Sequence, residues 1–292
     1  MIGHLQTIAA TLRPRPRVAF ARERWETPDG DFIDVDFAGS GRTLVLFHGL
    51  EGCSASHYAR ILAPAFAGAG WRVAIPHWRG CSGEPNRLPR AYHSGDSAEV
   101  DWILRRFTAP VDAIGVSLGG NALLKWLGER GEEARRVVRR AAAISAPLDL
   151  AAAAGALDRG VNRLLYTRVF LVTLKTKSLA KLARFPDLFD GAQLARARTF
   201  REFDDLFTAP LHGFRDATHY WSSSSSGAWL AHIRVPTLVI NARNDPFLPE
   251  SALLAASRGA ARCVTLEFPR AGGHVGFADG WLKRRLMDFL RP

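Results

Sequence analysis

The chain has 292 residues, 47% hydrophobic and 23% charged, which suits one large globular domain with room for an inserted subdomain. Its formal net charge of +11 comes overwhelmingly from arginines scattered along the chain, densest at Arg135, Arg136, Arg139 and Arg140; without interleaved aromatics they read as a solvated basic surface, with no nucleic-acid partner. A membrane-spanning run of ~18 apolar residues, an apolar leader (Gln6 and Thr7 interrupt it, and Arg13, Arg15 and Arg17 follow it) and a disulfide framework (Cys53, Cys81 and Cys263 are odd in number) are all excluded, so a cytoplasmic protein, monomeric by default, is expected.

Two extended runs open the chain, Arg22 to Thr27 and Phe32 to Phe37, joined by the turn signal Pro28-Asp29-Gly30. Thr43 to Phe47 is a continuous apolar run ending at His48-Gly49, as a buried parallel strand reads. A helix follows, with Ser54 or Ser56 as its cap and Ile61, Leu62, Ala65 and Phe66 as its apolar face. Trp71 to Ile75 is the next strand. Asp96-Ser97-Ala98-Glu99 resembles a capping box that opens a helix through Phe107. Val111 to Val116 is a strand, Leu118 to Arg130 a helix and Ala141 to Ser145 a further strand. Strand-helix alternation through this half predicts an α/β fold, a mostly parallel sheet with helices on both faces.

The alternation breaks at Pro147. From there to about Ile233 the sequence reads as helices and loops, including a serine run, Ser222 to Ser226, expected as an exposed loop. Alternation resumes at Thr237 to Asn241 and continues with Glu250 to Arg258, Val264 to Phe268 and a last helix, Trp281 to Leu290. The expected organisation is a core of residues 1–146 and 234–292 with a helical lid insertion at 147–233.

Gly115-Val116-Ser117-Leu118-Gly119 lies at the junction of a strand and a helix. G-x-S-x-G in that context is the nucleophile-elbow pattern, in which a sharp turn lifts the serine above the sheet edge. A serine hydroxyl needs a histidine base, and the imidazole needs an acid to fix its tautomer. Reactive groups in such sheets gather at the carboxyl ends of strands. Asp245 follows the strand Thr237 to Asn241, and His274 follows Val264 to Phe268 behind two glycines. Ser117, Asp245 and His274 are therefore the expected triad, in the chain order nucleophile, acid, base. Asp204, Asp205, His212, His219 and His232 lie in or beside the insertion, His57 on the first helix and His93 in a loop; no strand end positions them, so geometry disfavours them. The oxyanion donors are expected from the backbone N–H groups of Leu118 and Leu50, with His48 bracing the Leu50 loop. Neither metal spacing nor a phosphate-binding glycine loop occurs, so no metal and no cofactor is expected.

These residues are similar to those of the α/β-hydrolase superfamily, and the chain resembles its YheT-like branch, related to the eukaryotic ABHD1/ABHD3-type lipases. The resemblance rests on Phe47 to Gly52, Arg79 to Asn86, Tyr92 to Gly95, Gly115 to Asn121, Thr199 to Phe214, Asn241 to Pro249 and Gly272 to Phe277. It implies the α/β-hydrolase fold, carboxylic-ester chemistry and the same triad, and it supplies no substrate. Arg79 to Gly95 follows a strand and should border the site, either as a self-folded loop or as a substrate contact.

Within the insertion, Arg163 to Phe185 is a basic amphipathic stretch with two readings. One is a lid whose apolar face roofs the site; the other is an interfacial helix that docks on an anionic membrane. Either favours an acyl ester, small-molecule or lipid, over sugars. The expected activity is ester hydrolysis through an acyl-enzyme. The alternatives are acyl transfer by the same residues and a non-catalytic lipid-binding homologue.

Overall fold

The computed structural model describes residues 1–12, 18–277 and 280–291. Helix α1 (Ile2–Leu12) precedes a hairpin of β1 (Ala21–Glu26) and β2 (Phe32–Ala38), closed by a turn with Gly30 at φ 82°. The alternating half then runs β3 (Arg42–Phe47), α2 (Ala59–Ala67), β4 (Trp71–Pro76), α3 (Ser97–Leu104), β5 (Val111–Val116), α4 (Leu118–Arg130) and β6 (Val138–Ile144). Strands β7 (Thr237–Ile240) and β8 (Val264–Glu267) complete one sheet in the order β1-β2-β4-β3-β5-β6-β7-β8. β1 and β2 pair antiparallel, as do β2 and β4; every later pairing is parallel. Helix α12 (Glu250–Ala256) connects β7 to β8, and α13 (Trp281–Leu290) ends the chain's regular structure.

Side chains alternate across the parallel strands and feed two cores. Val45, Phe47, Ala113 and Ala143 pack with α3 and α4 on one face. Leu44, Leu46, Ile114 and Ile144 pack with α2 and α13 on the other. Both faces of β5 are buried, which explains its unbroken apolar reading.

Between β6 and β7 lie only helices and loops. α5 (Leu150–Leu157) leads to a rod in which α6 (Gly160–Asn162), a π-helical stretch (Arg163–Thr167) and α7 (Arg168–Leu182) follow one another directly. Then come α8 (Gly191–Arg196), α9 (Phe200–Phe203), a second π-helical stretch (Asp204–Thr208), α10 (Ala209–Leu211) and α11 (Ala217–Ser224).

Several local expectations need correcting. Neither Ser54 nor Ser56 caps α2: Ser54 donates to Asp36 at 2.5 Å, Ser56 accepts from the Cys53 N–H, and Tyr58 stands at the cap position without a side-chain bond. Asp96 does cap α3 through the Glu99 N–H, but the Glu99 carboxylate turns to Arg79 instead of closing a box, and the helix stops at Leu104. β6 starts at Val138, three residues before its apolar run, because Val138 pairs with Val111. The serine run is largely not an exposed loop. Asn121, fully buried on α4, donates to the carbonyls of Ser94 and Ser224 and accepts from the Ser226 N–H, so Ser224 and Ser226 are buried with it.

Candidate active site

β5 delivers Ser117 at its carboxyl end, where the chain reverses into α4. The serine sits at φ 53°, ψ −120°, a conformation that costs a non-glycine residue about 1–3 kcal/mol and persists only when its surroundings impose it. Glycines make that imposition feasible. A Cβ at Gly119 would lie 2.5 Å from the Phe47 carbonyl, and one at Gly115 would lie 2.4 Å from the Gly119 carbonyl. Only bare backbone lets β5, α4 and the loop after β3 close this tightly.

The loops after β7 and β8 bring the other two residues to the serine. His274 Nε2 lies 2.9 Å from Ser117 Oγ, and Nδ1 lies 2.8 Å from Asp245 Oδ2. The Asp245 side chain is fully buried, and its other oxygen accepts the Phe247 N–H at 2.8 Å. Phe247 also lies against the imidazole, with ring centroids 4.2 Å apart. The three residues named from strand ends thus form one hydrogen-bonded chain. In this chain Nδ1–H donates to the carboxylate and Nε2 is left to accept the hydroxyl proton.

The loop after β3 carries Leu50 beside the serine. Tyr58 Oη accepts the Gly49 N–H at 2.8 Å, and Tyr92 Oη accepts the Glu51 N–H at 2.9 Å. The Leu50 N–H lies between two amides that are already occupied. Among the described residues, neither it nor the Leu118 N–H donates to a protein acceptor. Leu50, Leu118 and Ser117 line the same cavity. His48 does brace this loop: its Nε2 accepts the Trp78 N–H at 3.1 Å and its Nδ1 lies 2.8 Å from the Gly49 carbonyl. Burial pushes its imidazole down to about 3, so it is neutral and structural.

Sequence reasoning missed α1. Its buried face, Gly3 and Thr7, packs on the histidine loop: Thr7 Oγ1 accepts the His274 N–H at 2.9 Å and Gln6 Oε1 accepts the Gly272 N–H at 3.1 Å. The loop also needs positive φ at Gly273 and Val275, and Ser145 Oγ accepts the Val275 N–H. Nothing in a short uncharged segment signals such a role. The other candidates have partners elsewhere. Asp205 caps the Ala217 N–H, His219 accepts the Arg215 N–H, His57 reaches the Val275 carbonyl and His232 lies against Trp229.

Arg79 to Gly95 is anchored on the β1–β2 hairpin and α3 and also reaches the site. Arg79, almost fully buried, is paired with Asp29, Asp31 and Glu99, and Asn86 donates to Asp31 and the Phe32 carbonyl. Burial, reinforced by Asp96, lifts the Glu99 carboxyl to about 7 against the pull of Arg79. The far end of the segment, Tyr92, His93 and Ser94, lines the cavity. His93 packs on His212 with centroids 4.5 Å apart.

That cavity is mainly apolar. Leu150, Ala154 and Leu174 line it together with Phe200, Phe203 and Phe207, and Ser117 and His274 share its wall. Asp204 also borders it, and burial lifts its carboxyl to about 7 although Trp221 Nε1 donates to it at 2.8 Å. A folded pKa above the unfolded one contributes stability that is full below pH ~4 and lost as pH rises through about 7. Asp204→Asn keeps an acceptor for Trp221 and removes the charge. Relative to the parent it should gain stability between pH 5 and pH 8, by about 3 kcal/mol at most. Urea titrations at the two pH values read this, and an unchanged difference would rule out the buried proton.

A second cavity meets the first at Ser117 and His274 and is walled by α1 and the rod. The rod therefore has two distinct faces: Leu174, Lys177 and Ser178 line the first cavity, whereas the apolar Leu164, Leu165, Val169 and Val172 are exposed.

Residues 42–280 match the family model described as the alpha/beta hydrolase fold. The provisionally named esterase YheT of Escherichia coli (strain K12) is 39% identical, covering 98% of this chain and 89% of that protein. The phospholipase ABHD3 of Mus musculus is 29% identical over 92% of this chain and 70% of its own. The medium-chain fatty acid ethyl ester synthase/esterase 2 of Saccharomyces cerevisiae is 29% identical over 85% of this chain and 61% of its own. Among solved structures, the esterase EaEST of Exiguobacterium antarcticum superposes with a TM-score of 0.61 at 18% identity, covering 92% of this chain and 99% of that one, a likeness of fold.

Proposed function

This chain belongs to the α/β-hydrolase family, in the branch that holds YheT and the ABHD3 phospholipases, and on that premise we propose that it hydrolyses carboxylic esters with an apolar acyl group through Ser117, His274 and Asp245. The observation that carries the reading is the unbroken chain from Ser117 Oγ through His274 to the buried Asp245 carboxylate, at 2.9 and 2.8 Å. His274 Nε2 takes the Ser117 proton as Oγ attacks the ester carbonyl. The N–H groups of Leu50 and Leu118 hold the oxyanion. Collapse of the tetrahedral centre breaks the ester bond, and His274 returns the proton to the departing alcohol. Water then attacks the acyl-enzyme, His274 takes its proton, and Ser117 is regenerated as the carboxylic acid leaves.

Residues 147–233 serve as the lid over a core of residues 1–146 and 234–292. The first cavity takes the acyl chain, since α5 and α9 supply most of its apolar wall. The second cavity, with Thr7, Thr11 and Ser56 on its wall, takes the alcohol. A separate room for the alcohol also favours acyl transfer as a second reading, in keeping with a relative whose name includes both synthase and esterase. A fluorophosphonate probe should label the protein once, at Ser117 by peptide mass mapping, and the labelled protein should lose turnover of nitrophenyl acyl esters. An adduct at another residue would overturn the site.

A further inference from the structure

The exposed apolar side chains of this protein are not scattered. On the rod, Val161, Leu164, Leu165, Val169 and Val172 are 43 to 71% exposed and fall at spacings of three and four, on the side opposite the buried Thr167 and Leu171. On α1, Ile2, Leu5 and Leu12 are 67 to 75% exposed and lie opposite the buried Gly3 and Thr7. The two stripes are neighbours. His4 Nδ1 meets Tyr166 Oη at 3.2 Å with their rings stacked. Between them lies the second cavity, walled by Thr7 and Ile8 from one helix and by Leu165 and Val169 from the other, with Ser117 and His274 also lining it.

We infer that this face docks on an anionic lipid surface, and that the substrate is a membrane lipid ester that reaches Ser117 through the second cavity without crossing water. Charge selects the occupant. Arg159, Arg163 and Arg168 are exposed along the rod, and residues 159–186 contain no acidic side chain. Basic residues beside an exposed apolar stripe match anionic headgroups above acyl chains. A second copy of the chain, itself at +11, would bring like charge to the same face. Docking is peripheral, because no helix among the described residues is long and apolar enough to cross a membrane. The large hydrophobic side chains remain exposed because water is only one of the two media that this face meets.

The lipid route rests on the esterase reading, but the surface does not, so it is tested in Ser117→Ala protein. At physiological salt this protein should co-sediment with phosphatidylcholine vesicles containing phosphatidylglycerol, and much less with phosphatidylcholine alone. Adding Ile2→Gln, Leu5→Gln and Leu164→Gln leaves the charge unchanged and keeps good helix formers. It should weaken binding at least about tenfold while thermal unfolding stays at the parent's temperature. Equal binding by parent and variant would mean charge attraction alone and would overturn the proposal. So would an absence of vesicle binding together with a dimer that the substitutions dissociate. Vesicle binding by a wild-type protein without ester turnover would sink the esterase reading and leave the docking face standing.

Discussion

Ser117→Ala should lower ester turnover by about 10⁵- to 10⁶-fold, as expected when the nucleophile of a three-residue relay is removed. The loss is chemical and not structural. Alanine can occupy the elbow because the substitution removes only Oγ, whose one hydrogen-bond partner among the described residues is His274, and the strained φ of 53° is imposed by the packing of β5, α4 and the loop after β3. Unfolding should therefore stay within about 1 kcal/mol of the parent. The magnitude separates two chemistries. If His274 activated water directly and Ser117 merely bound substrate, most of the rate would survive. A relay acting as a unit also predicts that Ser117→Ala with His274→Ala is scarcely worse than either alone. Burst and steady-state kinetics on a nitrophenyl ester measure both points, and a loss of less than about 100-fold would remove Ser117 from the nucleophile role.

How much of this was legible beforehand depended on whether a backbone pattern or a side-chain partnership set the outcome. The meeting of Ser117, Asp245 and His274 was legible because parallel strands end on one edge, so residues far apart in sequence converge wherever strand ends do. The buried strands β3 and β5 were legible because burial on both faces leaves an unbroken apolar run. The fate of the serine run was not: Ser224 and Ser226 are buried only because one asparagine, 103 and 105 positions away, satisfies their backbone. Nor was α1 legible as a support of the histidine loop, since a threonine hydroxyl and a glutamine carbonyl give no sequence signal of a partner some 266 residues away. Its exposed stripe, Ile2, Leu5 and Leu12, takes its meaning from the rod beside it, which His4 meets across 162 residues of sequence. Arg163 to Phe185 turns Leu174 and Ser178 toward the cavity and Leu164, Leu165, Val169 and Val172 toward solvent, a division that depends on what packs around the helix and not on its spacing.

Asp245→Asn should reduce kcat about 10⁴-fold with little change in stability, and the reason lies in a bond outside the triad. Asp245 Oδ1 accepts the Phe247 N–H at 2.8 Å, while Oδ2 faces His274 Nδ1. In an asparagine the carbonyl oxygen must take the Oδ1 position, because an amide NH₂ there would confront a donor in a fully buried site. The NH₂ then points at His274 Nδ1 and can only donate, so Nδ1 must become an acceptor. Neutral imidazole carries one proton, which moves to Nε2 and faces Ser117 Oγ. The hydrogen bonds all survive, but the base now presents a proton where it must receive one. Loss of the carboxylate charge also leaves the imidazolium of the transition state without its counterion. The variant should fold, bind ester with a KM near the parent's and show the NMR signature of the Nε2–H tautomer. A kcat within about tenfold of the parent would mean that His274 draws its orientation from Thr7 and Phe247 alone.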